Sequence, residues 1–136
     1  MSTLTYEGGC HCGNVRYRVS GDARDLCYCH CNSCRRTSGA PFVAWGTFPV
    51  ALFALLSGRL HEYRSSAPVS RGFCGSCGTS LTYFNAKRPD EIDVTLASLD
   101  DPAALEPEFH IWTAERLPWV EIADGLPQFE RWRTQT

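Results

Sequence analysis

Gly8-Gly9-Cys10-His11-Cys12-Gly13-Asn14-Val15-Arg16-Tyr17-Arg18-Val19-Ser20 sets two expectations at once. From residue 14 to residue 20 apolar and charged side chains alternate, with Val15, Tyr17 and Val19 on one face and Arg16 and Arg18 on the other. A period of two belongs to a strand with one face in a core and one in water. Just upstream, two cysteines one residue apart sit among three glycines. Glycine lets an extended segment bend, and a bent C-x-C can turn both sulfurs toward one point.

Outward from this stretch the strand signal recurs. Residues 42–45 and 50–56 are short apolar runs bounded by Gly and Pro and read as strands. Gly58-Arg59 reads as a turn into a strand over 60–64. Residues 80–84, 92–99 and 109–113 complete the set; Ile92, Val94 and Leu96 alternate in the second. Helix signals are few. Asp101 followed by Pro102 at a first helical position predicts one or two turns, and residues 32–38 predict a short helix. Many short strands at close spacing make a mainly β fold. With 136 residues and no repeat or linker, residues 1–136 read as a single domain.

Bulk properties exclude some functions. The net charge is −2 and the arginines are scattered, so the basic footprint of a nucleic-acid binder is missing. The longest apolar run, residues 50–56, is too short to span a membrane. The start of the chain carries no basic region followed by an apolar one, so the expected location is cytoplasmic, where thiols stay reduced.

Eight cysteines then become the main fact, at positions 10, 12, 27, 29, 31, 34, 74 and 77. Neighbours two or three apart suit convergence on a metal better than disulfide staples. Cys74-Gly75-Ser76-Cys77-Gly78 is a zinc-knuckle pattern, supplying two of the four ligands a structural zinc takes. Cys10 and Cys12 are its expected partners, giving a closed four-thiolate site. Cys29, Cys31 and Cys34 form C-x-C-x2-C. Three thiolates with an open fourth position are the arrangement of a catalytic zinc. Two zinc ions per chain are therefore expected, one structural and one catalytic. Spacing alone leaves Cys27 open as a fourth ligand of the inner set, and leaves iron as a second choice of metal.

Arg35 and Arg36 follow the inner cluster. They would offset the charge of about −1 that three thiolates leave on a divalent ion, and would grip an anionic substrate by its carboxylate. His30 is expected beside the substrate as a proton carrier near neutral pH. His11 reads as structural, and His110 as a satisfied core or pocket-lining residue. The aromatics Phe42, Trp45, Trp112, Trp119 and Phe129 read as core.

Gly9-Cys-His-Cys-Gly13, Cys29-His-Cys-Asn-Ser-Cys-Arg-Arg36 and Phe73-Cys-Gly-Ser-Cys-Gly78 occur in this order, followed by Leu99-Asp-Asp-Pro102, His110-Ile-Trp112 and Asp124-Gly-Leu-Pro127. Together they resemble the glutathione-dependent formaldehyde-activating enzyme family, which also includes centromere protein V. The resemblance runs from about Leu4 to Trp132. It implies a β-tent fold of antiparallel strands around a structural zinc, held by Cys10, Cys12, Cys74 and Cys77. It gives Cys29, Cys31 and Cys34 the catalytic zinc and matches Cys27 to no ligand. The implied activity is a zinc-dependent carbon–sulfur lyase joining a small-molecule thiol, glutathione, to an aldehyde, formaldehyde, as S-(hydroxymethyl)glutathione. Two rivals stand beside it. One is a non-enzymatic zinc-binding interaction module. The other is a reductase of the same fold class, for which Cys27 is the spare nucleophile.

Overall fold

A computed structural model describes residues 4–133. Its ten strands in those residues are β1 (Thr5–Gly9), β2 (Arg16–Ser20), β3 (Arg24–Cys29), β4 (Val43–Pro49), β5 (Phe53–Ser57), β6 (Leu60–Ser66), β7 (Val69–Cys74), β8 (Ser80–Asn85), β9 (Glu91–Thr95) and β10 (Phe109–Ile111). One helix, α1 (Asn32–Ser38), follows the inner cysteines. The strands form two sheets, ordered β1-β2-β5 and β10-β3-β4-β9-β8-β7-β6. Every pairing is antiparallel except β3 with β10, so the mainly β expectation holds. None of the described helices is long and apolar enough to cross a membrane.

The alternation in β2 does what its pattern predicts. Val15, Tyr17 and Val19 are fully buried, at 0% exposure, against Phe48, Leu81 and Val94 of the larger sheet. Each such side chain contributes about 1.5–3 kcal/mol of burial free energy. The Tyr17 hydroxyl is satisfied inside by Ser98 Oγ at 2.7 Å. On the outer face Arg16 grips Asp100 with two nitrogens, at 2.8 and 2.5 Å.

The larger sheet has two faces, and the second one matters for function. Across β7, β8, β9 and β4 the register sets Arg71 opposite Tyr83, Tyr83 opposite Asp93, and Asp93 opposite Thr47. Directly opposed residues in antiparallel strands share a face. One step along, Trp45 lies opposite Cys27, and Val43 opposite Cys29. Arginine, tyrosine, carboxylate, hydroxyl and cysteines thus project from one surface. Phe109 and Ile111 of β10 pack beside Cys27, Cys29 and Cys34 there.

Four expectations need correction, the first being Trp119, which is 71% exposed and not part of the core. Residues 50–56 are not one strand: Val50–Leu52 is a 3₁₀ turn and β5 begins at Phe53. As an edge strand of the small sheet, β5 leaves Leu55 and Leu56 exposed. Residues 96–98 close as a 3₁₀ turn, ending β9 early. Asp101-Pro102 starts no helix; Ala104 N–H donates to the Asp101 carbonyl at 3.0 Å and the chain moves on, since one such turn does not recover its nucleation cost.

Candidate metal centre and adjoining cleft

Two hairpin turns, one from each sheet, build the outer cysteine set. The β1–β2 turn carries Cys10 and Cys12. Gly13 closes it, its N–H on the Cys10 carbonyl at 3.1 Å and its φ at 82°. The β7–β8 turn carries Cys74 and Cys77, and Gly78 closes it in the same way, at 2.8 Å and φ 84°. A positive φ in this range favours glycine. The four Sγ atoms lie within 4.8 Å of one another. Backbone N–H groups point at the sulfurs: Val15 at Cys10 (3.2 Å), Ser76 and Cys77 at Cys74 (3.3 and 3.4 Å). Such donors stabilise thiolates, and the Thr79 hydroxyl and N–H hold Cys77 down to about 5. His11 is exposed, with its N–H on Thr79 Oγ1 at 3.1 Å.

The inner set joins a strand end to a helix start. Cys29 is the last residue of β3; Cys31 is the N-cap of α1, its sulfur accepting the Cys34 N–H at 3.2 Å. The three sulfurs again lie within 4.8 Å of one another. Hydrogen bonds from Cys29 and Cys34 hold Cys31 down to about 2, while the same contact with Cys31 pushes Cys29 far up. One negative charge is shared by three crowded thiols, which is the electrostatic character of a cation site. Cys27 stays out of the set and is 3% exposed; burial pushes its thiol well above its ordinary value.

Both faces of this cluster are supported. Arg71 on β7 reaches Cys34 Sγ at 3.7 Å and Thr37 Oγ1 at 3.3 Å. Its guanidinium lies 5.0 Å over the Tyr83 ring, and Ser65 Oγ takes its Nε–H at 3.1 Å. A cleft of about 130 Å³ opens over the three sulfurs, with Asp25, Asp93, Trp112 and Arg71 in its wall. Asp25 (φ 50°) and Trp112 (φ 57°) are the non-glycine residues with positive φ among those described, and both line this cleft. Strain of about 1–3 kcal/mol per such residue is held where the surroundings enforce it, often at functional sites. A larger cleft of about 560 Å³ continues past Arg71 to Arg36, Trp45, Tyr63 and Phe73.

The arginines named from sequence separate here. Arg36 lines the larger cleft, whereas Arg35 turns back onto Asn32 Oδ1. His30 departs from expectation. It is completely buried, and its Nε2 lies 2.9 Å from His110 Nδ1, on the face of β3 away from the sulfurs. His110 Nε2 in turn lies 2.8 Å from Asp124 Oδ2. With His110 donating to Asp124, its Nδ1 accepts from His30. Burial and the neighbouring His110 push His30 down to about 4, so it is neutral at pH 7 and does not serve as the proton carrier read from sequence. This chain fixes the backbone between Cys29 and Cys31 from behind, and His110 is the satisfied core histidine expected. Arg71 and Asp93 escaped sequence reading because they reach the cleft through strand register, and Asp25 reaches it from the irregular stretch of β3; no local motif marks any of the three.

A mainly β protein with two thiol clusters of metal-ligand spacing, one beside a cleft, is the class that fold and site define. Residues 5–115 match the family model for the glutathione-dependent formaldehyde-activating enzyme. The chain is 30% identical to a Halomonas elongata protein provisionally named glutathione-dependent formaldehyde-activating enzyme, over 88% of this chain and 82% of that one. It is 32% identical to an uncharacterized lyase of Schizosaccharomyces pombe, over 67% of each. A crystal structure of a Rhodobacter sphaeroides protein shares the fold, with a TM-score of 0.56, at 22% identity and covering 90% of this chain and 98% of that one. The chain belongs to the glutathione-dependent formaldehyde-activating enzyme family.

Proposed function

We propose that this chain is a zinc-dependent carbon–sulfur lyase that joins glutathione to formaldehyde, giving S-(hydroxymethyl)glutathione, and reverses that reaction. In this reading residues 1–136 act as one zinc-binding domain in the cytoplasm, with no nucleic-acid or membrane partner. Cys10, Cys12, Cys74 and Cys77 hold a structural zinc, and Cys29, Cys31 and Cys34 hold a catalytic one. The observation that carries the reading is the four-and-three division of seven sulfurs, with only the three beside a cleft that holds arginines. The donor set fits zinc: all ligands are thiols, and N–H groups already point at Cys10, Cys31 and Cys74.

Zinc held by three thiolates supplies a Lewis acid with an open position, which lowers the pKa of a bound thiol. The chain's own residues do the rest. Arg71, fixed by Cys34, Thr37 and Tyr83, offsets the anionic cluster. Arg36, exposed in the larger cleft, binds a substrate carboxylate, and Trp45 and Phe73 wall the same space. The reductase alternative loses support, because its spare thiol, Cys27, is buried with its pKa raised and is therefore a poor nucleophile.

The test is NMR exchange spectroscopy of adduct formation with the zinc-loaded protein; acceleration above the spontaneous rate supports the reading and none overturns it. Arg36→Ala is expected to raise KM for glutathione about 10-fold with kcat nearly unchanged, as loss of one exposed charge-assisted contact of about 1.4 kcal/mol. An unchanged KM would remove Arg36 from the binding site.

A further inference from the structure

We propose that Asp93 is the acid–base group of the thiol–aldehyde reaction. The inference rests on the lyase reading above. In the forward direction its carboxylate takes the proton as the S–H bond breaks. The sulfur electron pair forms the C–S bond to formaldehyde, the C=O π pair moves to oxygen, and the Asp93 carboxyl returns the proton to that oxygen. Thiol and aldehyde become the hydroxymethyl thioether with no net change in protons or electrons. The reverse reaction runs through the same carboxylate.

Geometry carries this assignment. Two carboxylates, Asp25 and Asp93, line the cleft shared by Cys29, Cys31 and Cys34. Asp25 is engaged by Arg133 at 2.5 Å. Asp93 makes no ion pair among the described residues and accepts only the Thr47 hydroxyl, at 2.7 Å. The second carboxylate oxygen is thereby left for a reactant. The register sets Asp93 and Thr47 on the same sheet face as Cys27 and Cys29, on rows that differ by one step. His30, the other proton carrier considered, sits on the opposite face and is fully buried.

The electrostatic surroundings suit the role. Burial pushes Asp93 up to about 6, with Glu91 and Asp25 acting in the same direction. The Thr47 hydroxyl and Arg88 pull it down, and Arg88 is itself paired with Glu91 at 2.6 Å. Tyr83 lies opposite Asp93 with Arg71 beyond it, and burial raises the Tyr83 phenol, so it stays neutral. An acid–base group with a pKa near the working pH transfers protons in both directions with least loss.

The experiment compares zinc-loaded wild type, Asp93→Asn and Thr47→Val across pH 5 to 8. Wild type is expected to lose kcat/KM as pH falls through about 6, where Asp93 becomes protonated. Asp93→Asn is expected to slow the reaction on the order of 100-fold and to lose that limb, with two zincs and the fold retained. Thr47→Val removes a donor that stabilises the charged form, so its limb moves to higher pH. The 13C signal of the Asp93 carboxyl should titrate upward by the same amount, a readout that needs no turnover. An active wild type with an equally active Asp93→Asn, or with the limb intact in that variant, overturns the inference alone. A wild type without acceleration overturns the lyase reading and this inference with it.

Discussion

Cys74→Ser is expected to leave a protein that does not fold. Cys74 is 0% exposed, and its sulfur accepts two backbone N–H groups of its own turn. It also lies 3.8 Å from Cys12 Sγ, in the turn of the other sheet. The outer cluster is therefore where the two sheets are tied together. A structural zinc of this type contributes about 10–16 kcal/mol of binding free energy that is coupled to folding. That is comparable to the roughly 5–15 kcal/mol by which a whole domain is stable. Serine offers a hard, protonated oxygen in place of a soft thiolate, so the site loses most of that energy. The expected result is loss of the cooperative thermal transition and of zinc, read by circular dichroism and metal analysis. A Cys74→Ser protein with wild-type Tm would refute the structural role.

Cys31→Ser is expected to behave in the opposite way: one zinc lost, turnover reduced to the spontaneous rate, and the fold intact. Cys31 caps α1 through its side chain, and serine is among the best N-cap residues, so the helix start survives the change. Its surroundings are half-open, and the core behind it is held by Phe109, Ile111 and Trp45. What disappears is one of the three thiols that share the negative charge of the cluster, leaving Cys29 and Cys34 as an incomplete set. Zinc stoichiometry should fall from two to one per chain, and NMR should show no acceleration. Undiminished turnover would remove the inner set from the chemistry. The contrast between the two variants separates the roles more sharply than either one does.

Much of the cysteine arrangement was legible because its causes are local. C-x-C and C-x2-C beside glycines are turn chemistry, and both turns form with Gly13 and Gly78 at positive φ. The alternation in β2 was equally plain, since one face is dry and the other carries paired arginines. Three strands escaped. β1 ends in two glycines, β3 holds cysteines where apolar residues would mark a strand, and β7 reads Val-Ser-Arg-Gly-Phe-Cys with no clean period. Their pairing depends on backbone hydrogen bonds to neighbours far along the chain, which a local pattern does not record. Residues 50–56 misled through hydrophobicity alone; at the edge of a sheet, leucines such as Leu55 stay exposed.

The site was legible only in part, for the same reason. Arg35 and Arg36 are equivalent in sequence, but one helical step of about 100° sends them to different partners. His30 lies between two cysteines in sequence, yet strand geometry turns it to the far face, onto His110. Arg71 and Asp93 reach the cleft through the register of β7, β8, β9 and β4. No spacing within the chain announces such a row.

The central claim is that seven sulfurs divide four and three between two zinc ions. Zinc K-edge X-ray absorption on the purified protein, with metal content measured on the same sample, tests it most directly. Two zincs per chain, with about 3.5 sulfurs per zinc on average at about 2.3 Å and a lighter atom completing the shell, is the expected result. One zinc per chain, or four sulfurs around every zinc because Cys27 has joined the inner set, would contradict it.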